Sequence, residues 1–236
     1  MSAGAVRKDP PGAAAGQTAS PASPALAGPR LDGPRPAGPR LVRLHLVSRH
    51  VPAALAAIAA CAVLLRLALL GPWDTYGALQ LPLLFETGAA AVIAITTASS
   101  LGEPERATGR WLPFLRLGTA LALTAVAAGA LAATGAGAHL AGGTLDVVRN
   151  VAGLTGIGLL CAAVLGGQLG WTGPLGYMLV GAYGLYTDWH GPALTTPWIW
   201  PARPPHDLGA ALCAGLVFAA GLAVITVRGA RDPVGE

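Results

Sequence analysis

From Val51 to Val227 the chain is a succession of long apolar runs separated by short polar breaks. Runs of eighteen or more residues with almost no charge predict transmembrane helices, since about 20 apolar residues are needed to cross a hydrocarbon core of ~30 Å. The pattern predicts six: Val51–Leu70, Leu79–Ala98, Pro113–Ala133, Val147–Leu165, a shorter one over Pro174–Tyr186, and Gly209–Val227. The fourth and fifth are cut from one stretch, Val151 to Thr187, which carries no charge and is too long for a single crossing. The turn chemistry of Gly166-Gly167-Gln168-Leu169-Gly170-Trp171-Thr172-Gly173-Pro174 divides it. The expected fold class is therefore an all-α integral membrane protein, a six-span helical bundle.

Residues 1–40 differ in kind. They are Ala, Gly and Pro with scattered charge, too poor in large apolar residues to bury a core. Gly28-Pro29-Arg30, Gly33-Pro34-Arg35 and Gly38-Pro39-Arg40 repeat at five-residue spacing, which favours extended, unpaired backbone. A disordered basic N-terminal tail is expected, solvated rather than held to lipid headgroups, with no apolar signal-peptide segment. Residues 41–50 mix apolar and basic positions and form a candidate interfacial segment ahead of the membrane domain, 51–228. Residues 229–236 make a short C-terminal tail.

Composition agrees with the pattern. Of 236 residues 53% are hydrophobic and 11% charged, where ordinary domains carry roughly 25% charged residues, and the mean hydropathy is +0.57. The net charge of +4 does not mark a nucleic-acid protein, because the arginines gather in the tail and in short loops, as membrane topology requires. Arg7, Lys8, Arg30, Arg35, Arg40, Arg43 and Arg49 precede the first span. Arg106 and Arg110 follow the second span, and Arg228 and Arg231 the last. With six spans all three groups fall on one side, which the positive-inside rule makes the cytoplasm. The expected location is the plasma (inner) membrane, multi-pass, with both termini cytoplasmic. Trp73, Trp111, Trp171, Trp189, Trp198 and Trp200 all fall at or beyond predicted span ends, as interfacial residues do. Cys61, Cys161 and Cys213, each within an apolar run, offer neither a disulfide framework nor metal spacing.

Two ionisable residues lie deep in spans. Arg66 is about fifteen residues, roughly 22 Å, into the first, and Glu86 about seven residues, roughly 10 Å, into the second from the other side. In a ~30 Å core these depths nearly coincide, so an intramembrane Arg66–Glu86 ion pair is expected, since either charge alone is costly in lipid. A structural clamp on the first helical hairpin is preferred to a gate or substrate contact. Arg116 and Arg149, near span ends, are expected to snorkel to headgroups. On the third span Gly118, Ala122, Ala125 and Gly129 form a small-residue face, read as a helix-packing surface. In the last outer loop Asp188, His190, His206 and Asp207 lack metal-ligand spacing, and no metal or other cofactor is expected. The only lysine is Lys8, so there is no Walker A loop; with no His-Glu-x-x-His or Gly-x-Ser-x-Gly either, no enzymatic activity is expected.

The one compact charged segment inside the apolar body is Ser99 to Pro113, where Glu103, Glu105, Arg106 and Arg110 crowd between two spans. A basic segment, six spans, this charged cytoplasmic loop and a long outer loop before the last span together resemble the permease subunit of ABC-type exporters of the six-helix kind. The layout covers residues 41–228, and the motif-like part is 103–116. There Glu103, Glu105 and Arg106 match an acidic-basic cluster, followed by Gly109, Trp111-Leu112, Pro113 and Arg116. Pro104 interrupts the cluster, Arg110 stands where the family has Thr, and no lysine follows. The resemblance implies that loop 101–113 couples to a separate cytosolic ATPase, with Glu103, Glu105, Arg106 and Arg110 transmitting its closure by ion pairs. It further implies an interfacial connecting helix near 41–50, an outer re-entrant segment at 189–208, a path lined by spans one, two and five, and a homo- or heterodimer. The competing reading is a non-transporting membrane scaffold or immunity-type accessory protein that binds a cytosolic partner through the same loop. A secondary carrier is disfavoured, since no span is visibly broken near the midplane and no inverted repeat is apparent.

Overall fold

The computed structural model describes residues 50–98, 112–135, 143–187 and 196–228, and among these every regular element is helical. The tail 1–40, nearly all of 41–50, the loop bearing Glu103, Glu105, Arg106 and Arg110, and the C-terminal residues 229–236 lie outside the described residues. Among the described residues six α-helices carry the fold: α1 (Val51–Ala68), α2 (Thr75–Ala98), α3 (Leu112–Thr134), α4 (Gly143–Leu165), α5 (Thr172–Tyr186) and α6 (Leu208–Arg228). Five of them are long and apolar enough to cross a membrane. At 15 residues α5 rises only about 22 Å, less than a ~30 Å hydrocarbon core.

Local chemistry sets the helix ends. α2 starts one turn before the apolar run because Asp74 Oδ1 accepts the Gly77 N–H at 2.8 Å, an N-terminal cap. The last turn of α1 is closed from outside the helix, with Trp73 Nε1 donating to the Ala68 carbonyl at 2.6 Å. α4 also starts a turn early: Gly143, at φ +74°, takes a backbone conformation that a side chain would strain, and the helix then includes Asp146 and Arg149. Hydroxyls inside the bundle are satisfied locally. Thr87, Thr96 and Thr124 donate to the carbonyls of Leu83, Val92 and Ala120, each 2.7 Å away.

Successive helices alternate in direction. Arg66, in the last turn of α1, reaches the final carbonyl of α3. Arg149, near the start of α4, reaches backbone just ahead of α6. The first turns of α2 and α4 and the last of α5 line one cavity. α4 is the central helix: 61% of its spanning residues are buried, against 22–44% in the other four long helices. It packs on α2, α3, α5 and α6, with α1 outside against α2 and α3.

α4 and α6 cross backbone against backbone. A Cβ on Gly156 would lie 2.6 Å from the Phe218 backbone, and one on Gly221 would lie 2.6 Å from the Gly156 carbonyl oxygen. Such backbone-to-backbone approach is possible only at glycine. The small face of α3 expected to pack does not. Gly118, Ala122, Ala125 and Gly129 are all exposed, and a Cβ on Gly118 or Gly129 would meet nothing within 4 Å. α3 packs on α1, α2, α4 and α6 through its opposite face and turns Ala120, Leu123, Ala127 and Leu131 inward instead. Burying two leucines removes more apolar area than burying glycine and alanine, which decides the rotation of the helix.

Candidate functional site

Polar side chains inside an apolar bundle are costly, so where they gather they mark the site. Here they gather at the α2–α4 contact. Asp146, Arg149 and Asn150 stand at i, i+3 and i+4 on α4, one face of the helix. Glu86 of α2 is turned to that face and is 1% exposed. The Asn150 side chain hydrogen-bonds its carboxyl group, and the charges of Asp146 and Arg149 act on it.

Arg149 is the hub. Its Nη1 donates to the Pro204 carbonyl at 3.0 Å and its Nη2 to the Arg203 carbonyl at 3.3 Å. Nη2 also lies 2.5 Å from Asp146 Oδ1, an ion-pair contact without hydrogen-bond alignment. The guanidinium thus ties the first turns of α4 to residues 203–204. That connection continues to α6, where Asp207 Oδ1 accepts the N–H groups of Gly209 at 2.8 Å and Ala210 at 3.2 Å as its N-terminal cap. Arg203 approaches Asp207 at 4.0 Å and donates to the Thr196 hydroxyl.

Residues 196–207 close this end of the bundle from within. Ile199, Trp200 and Pro201 are buried, and Trp200 stacks on Tyr177 of α5 with ring centroids 4.4 Å apart. The Tyr177 hydroxyl in turn donates to the Trp198 carbonyl. Trp200 rests on Gly153, where an added Cβ would come within 2.6 Å of the indole. Gly153 is ten residues into α4, so the indole reaches about 15 Å along that helix. Two spaces flank the cluster. A cavity of about 30 Å³ is lined by Ala78, Pro82, Glu86, Asp146, Asn150 and Pro201, among others. An open groove of about 630 Å³ runs between α4 and α6, apolar along Leu145, Val148, Ala152 and Ala211 and polar at Arg149, His206 and Asp207.

Three expectations are corrected. Arg66 does not pair with Glu86: its Nη1 donates to the Thr134 carbonyl at 3.1 Å, while Glu86 faces α4. The two depths match, but depth does not fix azimuth. Cys61 stands opposite Gly88, so the α1–α2 seam carries small groups and the carboxylate points away from it. Thr134 ends α3, so Arg66 serves the unsatisfied carbonyl at the negative end of that helix. Arg149 does not snorkel; it is 6% exposed. Trp200, 2% exposed, is not interfacial, whereas Trp73, Trp171 and Trp198 are exposed.

The sequence signals that would have found this site are Pro82, inside a predicted span, and the Asp146-Arg149-Asn150 spacing. Starting the fourth span at Val147 left Asp146 as a loop charge and hid that face. Of the outer-loop metal candidates, Asp188 and His190 lie outside the described residues. Among the described residues no group of three or more His, Cys, Asp or Glu gathers, and the three cysteines are free. No family model, curated protein or solved structure matches the chain.

Proposed function

We propose that this chain is the membrane-spanning, permease-like subunit of an ATP-driven transporter, crossing the inner membrane six times with both termini cytoplasmic. It is driven by a separate ATPase through loop 101–113. The observation that carries the reading is the inward-folded segment 196–207, which seats Ile199, Trp200 and Pro201 among α4, α5 and α6 ahead of the last helix. An outer re-entrant segment there is what the resemblance to six-helix exporters implies. The alternating direction of six helices supports an even number of crossings, with α5 as the short one. The α4–α6 groove, apolar with a polar end, suits an amphipathic or lipid-like cargo.

The test is affinity purification of the tagged chain in mild detergent, with mass spectrometry and an ATPase assay. A stoichiometric cytosolic ATPase, lost in Glu103→Lys/Glu105→Lys, is the expected result. A chain that purifies alone, or with a partner lacking nucleotide-binding motifs, overturns the reading and leaves a membrane scaffold.

A further inference from the structure

Two buried oxygens on neighbouring side chains, Glu86 Oε2 and Asn150 Oδ1, have no hydrogen-bond partner. The same two side chains are already joined by one hydrogen bond, which the Asn150 amide donates to the Glu86 carboxyl group. Two acceptors cannot satisfy each other. One proton on Glu86 Oε2 makes it the donor that Asn150 Oδ1 lacks, so that carboxyl and carboxamide close as a doubly bonded pair. Arg149 does not supply this charge: its Nη2 lies 2.5 Å from Asp146 Oδ1, and its two Nη atoms donate to the Pro204 and Arg203 carbonyls. Ionised, the enclosed Glu86 has no counter-charge of its own, which is costly in an apolar bundle.

The carboxyl group is reached from one end of the bundle. Glu86, Asp146 and Asn150 line the same cavity of about 30 Å³, room for one or two waters, since ~10–15 Å³ suffices for one. Its lining begins at Gly143, the first residue of α4, and Asn150 lies about 10 Å further along that helix. Between them Asp146 keeps its side chain 15% exposed. The remaining lining, from α2, α4, α5 and Pro201, carries no charge. Around the rest of α2, Arg66 turns to the Thr134 carbonyl, Cys61 stands opposite Gly88, Tyr177 donates to the Trp198 carbonyl, and Arg116 is near the start of α3, at the other end. Asp146 and Arg149 are thus the titratable groups that act on Glu86.

We infer that Glu86, paired with Asn150, is a proton-binding site, loaded from water at this end of the bundle past Asp146 and through the cavity. The carboxylate takes up one proton to become the carboxylic acid and returns it to water by the same route. Release leaves a second carboxylate acting on Arg149, which competes with the Arg203 and Pro204 carbonyls for the guanidinium. Proton occupancy therefore governs how firmly residues 196–207 are seated. The site stands apart from the ATPase assignment, because the proton is read on this chain alone.

The test is infrared spectroscopy of the full chain purified in detergent, with tryptophan emission followed as the pH is raised from about 5 to about 10, the span over which exposed and buried carboxyl groups ionise. The expected result at neutral pH is a protonated-carboxyl C=O band that isotope-labelled glutamate moves, Glu86→Gln removes and Asp74→Asn, at the exposed cap of α2, leaves unchanged. Asn150→Leu shifts the band to higher frequency, as a carboxyl group does on losing its partner. Asp146→Asn, which frees Arg149 to act on Glu86, makes the band disappear at lower pH. In the unsubstituted chain loss of the band coincides with a red shift in the part of the emission that Trp200→Phe removes, and Glu86→Gln abolishes that shift. A folded chain with no glutamate band at neutral pH overturns the assignment, and the labelled glutamate reads this without any substitution. A band that persists at the alkaline end overturns it too, since the proton is then locked rather than exchanged. A red shift that survives in Glu86→Gln overturns the coupling to residues 196–207.

Discussion

Arg66 and Arg149 stand at the same end of the bundle, one in the last turn of α1 and the other in the second turn of α4, yet they do different work. Arg66 is half-exposed and serves one carbonyl at the end of α3. Arg149 is enclosed, meets two carbonyls and a carboxylate, and joins α4 to the segment that leads into α6. The difference lies in the helix each stands on. α1 is peripheral, so a cation on it finds an edge; α4 is central, so a cation on it must be satisfied by protein.

The largest effect is therefore expected at Arg149. Arg149→Met keeps an apolar stem but leaves Asp146 uncompensated and two carbonyls without a donor, a loss of about 3–5 kcal/mol by analogy with broken buried ion pairs. Thermal unfolding in detergent should fall accordingly, and Trp200 emission should shift red as residues 196–207 unseat. Arg66→Gln removes a single edge hydrogen bond, and about 1 kcal/mol is expected for it. Equal losses at the two sites would break the contrast between central and peripheral helices.

How far the sequence could reveal this follows from the same geometry. Hydropathy along one dimension located the helices: every predicted span is matched by a helix to within a turn, and the short fifth one is short in the fold. Length, turn residues and charge are properties of the segment itself, so they are legible there. Partnership is not. The Arg66–Glu86 pair followed from matching depths, and it failed because each residue turns a helix by about 100°, which depth leaves unspecified. On helices apolar all round, no amphipathic stripe announces which face is inward. The depth of Glu86 is legible in the sequence, but its neighbours Asp146 and Asn150 come into reach only because α4 starts at Gly143.

A second pair of sites repeats the lesson with glycine. Gly156 on α4 and Gly118 on α3 both belong to small-residue runs that read alike in sequence. At Gly156→Ala the new Cβ would meet main-chain atoms of Phe218, which cannot rotate away, so α4 and α6 must separate. Overpacking of this kind costs about 1–3 kcal/mol, and the fall in unfolding temperature should be accompanied by loss of the seating of Trp200, since Ala214 and Gly153 lie on the same α4–α6 seam.

Gly118→Ala sharpens the comparison from the other side. Its Cβ enters open space on an exposed face, so no neighbour has to move. Replacing glycine in a helix relieves backbone entropy, at most ~1 kcal/mol, and in an apolar helix already fixed by its span less than that should be recovered. Unfolding of the isolated chain should be unchanged or slightly raised. The informative quantity is the sign. A clear destabilisation by Gly118→Ala, reversed on dilution into conditions where the chain is monomeric, would mean that a second copy covers this face of α3, and that the two small-residue stripes differ in partner rather than in use. No change at any concentration leaves the α3 stripe facing lipid and the α4–α6 crossing as the place where this chain uses glycine for close approach.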